Sequence, residues 1–216
     1  MTKQTKKKKK GLLISFEGGE GSGKTTQICK LRRRLTKEGL DVVVLREPGG
    51  TAISEQIRNV VLSPKNVGMA FTTEVFLFQA ARSQIYREIV LPSLKAGKIV
   101  LMDRSRDSSV VYQGMVRGFG KEMIEKFNDI STKKTYPDIT ILLDIPVKVG
   151  LSRKVKIPDI NRFEMENMEF HEKIRKVYLN LAKGEAKKRW LIVDANRSIE
   201  AMKDDIWKLV KNKLKI

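Results

Sequence analysis

The stretch Leu12-Leu13-Ile14-Ser15-Phe16-Glu17-Gly18-Gly19-Glu20-Gly21-Ser22-Gly23-Lys24-Thr25 decides the fold. A continuous apolar run gives way to a glycine-rich turn. Beyond it Ile28, Leu31 and Leu35 recur at three- and four-residue intervals until Gly39. The first part predicts a strand buried on both faces, the last an amphipathic helix stopped by glycine. Outward from here the pattern repeats. Val42–Arg46, Ile99–Asp103, Ile139–Ile145 and Leu191–Asp194 are four further short apolar runs. Helical spacing lies between them: Ile53, Ile57, Val60 and Val61; then Thr73 to Ala96, interrupted near Pro92 and ended by Gly97. Ile199, Met202, Ile206 and Leu209 close the chain as a helix with Ser198 at its N-cap. Strands alternating with helices predict an α/β fold, a five-stranded parallel sheet between helical layers. In such sheets ligands gather beyond the carboxyl ends of the strands.

Gly18–Thr25 matches the Walker A pattern: two glycines separated by four residues, then Lys and Thr. Successive backbone N–H groups can curl inward at phosphate oxygens, and the helix that follows presents its positive end to the same anion. Lys24 would reach the β- and γ-phosphates, and the Thr25 hydroxyl would ligate Mg²⁺. A chance match in such a chain is roughly a one-in-a-hundred event, and here it also falls between a strand and a helix. The nucleotide-binding stretch is therefore Gly18, Gly19, Glu20, Gly21, Ser22, Gly23, Lys24, Thr25 and Thr26. Gly19, Glu20, Gly21 and Ser22 include no basic residue, so cationic charge for a transferring phosphoryl group must come from elsewhere.

The 216 residues, 41% of them hydrophobic, suit one compact domain. No apolar run approaches a membrane span, and the run Gly11 to Phe16 is too short for a signal-peptide core. The lone cysteine, Cys29, fits a reducing cytoplasm and reads as a packing residue within its helix. The net charge of +19 includes six lysines among the first ten residues, and +13 remains without them. Residues 1–10 read as a disordered, solvated tail before a catalytic domain of residues 11–216. The tail has no interleaved aromatics to stack bases, so nucleic-acid binding is a secondary reading.

Asp103 ends its strand in the position of a metal-associated carboxylate, followed by Arg104, Ser108-Ser109 and Tyr112-Gln113-Gly114. Phe76, Phe78 and Arg82 lie on the middle helix, and Phe78 and Arg82, four apart, share a face. Taken singly, the phenylalanines read as core and an Asp-Arg pair as structural. Together with the loop they point to a site for a flat base.

Several motifs in order resemble the thymidylate kinases of the bacterial type: Gly18–Thr25 with Glu20 inside it, Arg46–Thr51, Phe78-Gln79-Ala80-Ala81-Arg82, Asp103-Arg104 with Tyr112-Gln113-Gly114, Tyr136-Pro137-Asp138, and Asn161-Arg162-Phe163-Glu164. The resemblance runs from about Leu12 to the C-terminus. It implies a P-loop NTPase three-layer fold with a mobile lid over about residues 153–162. It also implies transfer of the γ-phosphate of ATP to dTMP, giving dTDP, with Mg²⁺ near Thr25 and Asp103, in a cytoplasmic homodimer. By the same resemblance Phe78 stacks on thymine, Arg82 bonds its edge, and Ser109 and Gln113 contact the base. Arg58 and Arg104 grip the acceptor phosphate, and Glu47 and Tyr112 line the sugar. Asp194-Ala195-Asn196-Arg197 lies near adenine, and Tyr136-Pro137-Asp138 shapes the approach to the fourth strand. Lys24, Asp103, Arg104 and Arg153 are the catalytic candidates, and Arg153, Lys154, Lys156 and Arg162 the lid cations that would supply the missing charge. Two departures stand out. Ser105 replaces a usual aromatic, and Ile157-Pro158 fall where an arginine is common.

His171, on a predicted helix, is not read as a general base, and an anionic phosphate acceptor needs none. A kinase of the same build acting on dUMP or a purine monophosphate is the nearest alternative reading. A nucleic-acid-binding ATPase or GTPase switch is more distant, since no glutamate follows Asp103 to activate water. A non-catalytic relative is at odds with the intact Lys24, Thr25, Asp103 and Arg104.

Overall fold

A computed structural model describes residues 11–154, 161–184 and 188–214. Residues 1–10, Lys156, Ile157 and Pro158 lie outside them, as does the side chain of Lys154. The five apolar runs form β1 (Leu12–Glu17), β2 (Val42–Arg46), β3 (Ile99–Asp103), β4 (Ile139–Asp144) and β5 (Trp190–Asp194). They make one sheet in the order β2-β3-β1-β4-β5, with every pairing parallel. Phe16 and Arg46 both stand in register with Asp103, so the loops after β1, β2 and β3 leave from one rim. β1 lies in the middle, where the chain path runs outward in both directions. That is the switch point at which such sheets bind ligands.

Nine α-helices surround the sheet among the described residues: α1 (Lys24–Lys37), α2 (Ala52–Leu62), α3 (Phe71–Ile85), α4 (Leu91–Lys95), α5 (Arg106–Ser109), α6 (Lys121–Thr132), α7 (Val147–Lys154), α8 (Met168–Lys183) and α9 (Ile199–Leu214). Alternation along β1 explains the layers. Ile14 and Phe16 pack with Ile28, Leu31 and Leu35 of α1 and Met202 and Ile206 of α9. Leu13, one residue before Ile14, points the other way and joins Leu45, Tyr86, Val100 and Met102. Each fully buried side chain of this kind contributes roughly 1.5–3 kcal/mol. Ser198 caps α9 as expected, its hydroxyl accepting from the Ala201 N–H at 3.2 Å.

The break in the long helical stretch falls ahead of its expected place. α3 widens into a π turn at Tyr86–Val90 before α4 resumes with Pro92 in its first turn. Proline lacks an N–H and its ring crowds the carbonyl four residues back, here Glu88 inside the widened turn. A second π turn, Val110–Val116, follows α5 directly. Phe76, allotted to the core by its apolarity, is 54% exposed. Tyr136-Pro137-Asp138 shapes the start of β4: the Asp138 carboxylate accepts from the Leu13 N–H at 2.9 Å, and its own N–H donates to the Leu13 carbonyl.

Candidate active site

The rim of β1, β2 and β3 opens on a single cleft of about 1100 Å³. One end is lined by Arg197, Ser198, Ile199 and Met202, the middle by Glu20 to Thr26, the other end by Phe78, Tyr112 and Gln113.

The loop is built to receive an anion. Lys24 turns its ammonium back over the loop, donating to the carbonyls of Gly18 at 3.2 Å and Gly19 at 3.0 Å. Burial, and next the nearby Arg104 charge, depress the Lys24 pKa to about 8. Gly18 and Gly19 do not line the cleft; they serve by accepting from Lys24. Gly21 meets α7 so closely that a Cβ on it would stand 1.9 Å from the Gly150 carbonyl oxygen, and one on Gly150 would stand 2.3 Å from that of Glu20. The loop and α7 can touch because both positions are glycine.

The Thr25 hydroxyl donates to Asp103 Oδ2 at 2.7 Å at the loop's helical end. A hydroxyl and a carboxylate beside a phosphate cradle are the hard oxygen donors Mg²⁺ takes, and few protein ligands are needed when phosphates and water complete the shell. The residues present therefore fit that ion. Arg104 follows Asp103 with φ at +67°, a conformation that costs a non-glycine residue energy and recurs at functional sites. Its guanidinium donates to the Gly18 carbonyl at 3.1 Å and pairs with Glu20 at 2.6 Å. Arg58 holds the Pro48 carbonyl at 2.6 Å and also faces the cleft. Burial and the neighbouring Arg46 disfavour the Arg58 charge, so an anion placed there would be welcomed.

At the far end Phe78 is half-buried and edge-on to Phe163, with ring centroids 5.8 Å apart. Arg82 lines the same wall, but protein groups ring its guanidinium: Glu47 Oε2 at 2.7 and 2.6 Å, Ser109 Oγ at 2.9 Å, Asn128 Oδ1 at 2.8 Å and the Ser105 carbonyl at 3.1 Å. In this structure Arg82 backs the pocket rather than offering a free donor to it. Gln113 donates to Glu74 Oε1 at 2.7 Å. Glu47 Oε1 and the Tyr112 hydroxyl are buried and make no hydrogen bond among the described residues, leaving polar atoms on the cleft wall for a ligand to satisfy. Burial raises the Glu47 pKa, with Arg82 opposing.

The lid cations divide. Arg153 stands exposed at the cleft mouth, donating to the Ala195 carbonyl at 3.2 Å and more weakly to that of Gly21 at 3.5 Å. Arg162 is corrected: it is buried, paired with Glu74 at 2.7 Å and bonded to the Val61 carbonyl. A guanidinium so engaged ties its own segment to α2 and α3 and is not free to move onto a phosphate. The side chain of Lys154 and the whole of Lys156 lie outside the described residues.

Cys29 is also corrected. It is exposed on the cleft-lining side of α1, not packed. Ser105 is fully buried, and its Oγ lies 2.9 Å from the hydroxyl of Tyr86. Sequence reasoning passed over Glu17, Glu74 and Tyr178, three buried polar residues behind the cleft. Only Glu17 carried a signal, as a charge closing an apolar strand.

A family model described as Thymidylate kinase matches residues 16–206. A protein named thymidylate kinase from Geobacillus sp. (strain WCH70) is 45% identical, the match covering 88% of this chain and 91% of that one. Another from Thermoanaerobacter sp. (strain X514) is 42% identical over 95% of this chain and all of its own. A crystal structure of thymidylate kinase from Ehrlichia chaffeensis superposes with a TM-score of 0.76 at 31% identity, covering 93% of this chain and 98% of the other.

Proposed function

The chain belongs to the thymidylate kinase family, and on that premise we propose how its cleft carries the ATP-dependent phosphorylation of dTMP to dTDP. ATP lies with adenine toward Asp194–Arg197 and its phosphates in the Gly18–Thr26 loop. Lys24 leaves the loop carbonyls to follow the phosphates, and its charge is restored as they approach. Thr25 and Asp103 hold Mg²⁺, which when bound neutralises phosphate charge. dTMP enters from the opposite end, its base against Phe78 and beside Gln113 and Ser109, its sugar near Glu47 and Tyr112. Arg58 and Arg104 take its phosphate. Arg104 also touches the donor loop, so one guanidinium sits where the two anions meet. Arg153 is the described lid cation placed to approach the transferring group.

The reaction is in-line transfer between two bound anions, and the protein's part is to position them and offset their charge. No side chain need remove a proton, because the acceptor oxygen is already ionised. The observation that supports this reading is one cleft lined both by the Lys24 loop and by Phe78. A coupled ADP-release assay comparing dTMP with dUMP, dGMP and dAMP tests it. dTMP should be used best, and equal use of a purine monophosphate would overturn the base-pocket assignment.

A homodimer belongs to the same reading, supported by the apolar residues Ile53 and Val60 of α2, Phe71 and Phe76 of α3 and Ile130 of α6, each 47% or more exposed. Light scattering on the purified protein distinguishes dimer from monomer. A cytoplasmic setting is the matching expectation. Among the described residues no helix is long and apolar enough to cross a membrane.

A further inference from the structure

The chemistry above leaves one buried acid unused. Glu17 closes β1 one residue before the phosphate loop, fully buried. Its carboxylate accepts three hydrogen bonds: Oε1 from the Ser105 N–H at 2.9 Å, Oε2 from Ser108 Oγ at 2.6 Å and from the Tyr178 hydroxyl at 2.9 Å. Among the described residues it has no ion pair within 4.0 Å. All three donors adjoin Arg104. The Ser105 N–H belongs to the peptide that follows the left-handed Arg104. Ser108 Oγ and the Tyr178 hydroxyl each accept from Arg104 Nη1, at 3.5 and 3.4 Å.

The sense of these bonds matters. Ser108 Oγ and the Tyr178 hydroxyl also lie 2.9 Å from each other, but beside an ionised Glu17 each can turn its proton to the carboxylate and its lone pairs to the guanidinium. That polarity holds because a carboxylate can only accept. We propose that Glu17 is a positioning residue for Arg104, fixing both its backbone and the direction of its guanidinium so that it can take the acceptor's phosphate. The proposal rests on the assignment of Arg104 to that phosphate.

Replacing the carboxylate by an amide, or protonating it, puts a donor where the hydroxyls need an acceptor. Either that donor meets the Ser105 N–H or the two hydroxyls, 2.9 Å apart, must rearrange their bonds, and the support behind Arg104 is lost. Burial first, and then Asp107, push the Glu17 pKa up to about 7, against Ser108, Arg104 and Tyr178. Lys24, Arg189 and Tyr112 also feel its charge. The raised value means that the proper polarity is complete above neutrality and lost as pH falls through about 7.

The test compares wild type, Glu17→Gln, Tyr178→Phe and Arg104→Met by steady-state kinetics, with thermal melting of each. Glu17→Gln should raise KM for dTMP by roughly ten-fold or more, the loss expected for a misdirected bond to a charged group, and leave KM for ATP within about two-fold. In wild type, kcat/KM for dTMP should fall on the acid side with a step near 7 that Glu17→Gln lacks; the substrate phosphate's own step, close to 6, should persist in both. Tyr178→Phe should raise KM for dTMP less, and should add little on top of Glu17→Gln. A folded Glu17→Gln enzyme with unchanged KM for dTMP, or with both KM values rising together, overturns the proposal. If Glu17→Gln does not fold, an unchanged KM for dTMP in Tyr178→Phe overturns it instead. Should Arg104→Met leave dTMP use intact, the assignment of Arg104 has failed; a large Arg104→Met effect with a silent Glu17→Gln means that only the role of Glu17 has.

Discussion

Arg82→Met is the substitution for which the structure makes its sharpest demand. Arg82 and Glu47 are 1% and 3% exposed and pair at 2.6 Å. Methionine keeps an unbranched apolar stem about as long as that of arginine up to Nε, and removes every donor. Glu47 would then be a buried carboxylate whose Oε1 already lacks a partner, and Ser109, Asn128 and the Ser105 carbonyl would each lose a bond. Breaking a buried pair from one side costs roughly 3–5 kcal/mol. For a chain of this length that is a fall in Tm of roughly 6–20 °C. The loss should depend on pH in a definite direction. Burial raises the Glu47 pKa even with Arg82 present. Without Arg82 it rises further, so the folded state binds a proton that the unfolded chain has released, and stability declines as pH rises above the ordinary carboxylate range. Arg82→Met should therefore be nearest to wild type at about pH 5 and furthest from it at about pH 8. Adding Glu47→Gln should recover much of the loss, because no charge is then stranded. Thermal and urea unfolding of wild type, each single variant and the double variant at both pH values measures this. If Arg82→Met melted like wild type at pH 8 and lost only affinity for dTMP, the view of Arg82 as the pocket's buttress would be wrong.

Lys24 gives a second test. Near pH 8 about half of it is neutral in the free enzyme, so ATP binding should take up about half a proton. Titration calorimetry in buffers of different ionisation enthalpy detects the uptake; Lys24→Met should abolish both it and phosphoryl transfer, and equal heats in all buffers would refute the argument. Phe78→Ala should weaken dTMP by about ten- to a hundred-fold, the worth of one stacked base, with ATP binding nearly intact; equal loss of both ligands, measured by calorimetry, would count against the stack. Gly150→Ala forces α7 off the Gly21 loop, an overpacking cost of roughly 1–3 kcal/mol. It should raise KM for ATP more than KM for dTMP, and kinetics unchanged in both would mean that the contact yields freely.

Much of this was legible in the residues. All five strands were found within one residue of their ends, because parallel strands covered on both faces are unbroken apolar runs. The phosphate loop was equally plain, since its glycines and its Lys-Thr are dictated by local geometry. Partners distant in sequence were not. Arg162 looked like one more basic residue in a charged segment, and only folding sets Glu74 against it. The occupied state of Arg82 was hidden for the same reason, as Asn128 and Ser105 come from other elements. Cys29 misled because helical spacing marks the apolar stripe of α1 but not the place where a cleft bares its flank. Pro92 advertised a break correctly, yet the break fell upstream, where the backbone could widen and keep its bonds.

The widened turn at Val110–Val116 has a consequence for what this chain can tolerate. It carries Tyr112 and Gln113 on a helical path one residue looser than an ordinary turn. Removing a single residue there would let the helix tighten and shift the side chains inside the turn, taking Gln113 from Glu74 or Tyr112 from its place on the cleft wall. The length of this segment matters as much as its side chains. Indels that the surface loops of such an enzyme absorb freely would here blind the pocket to its base.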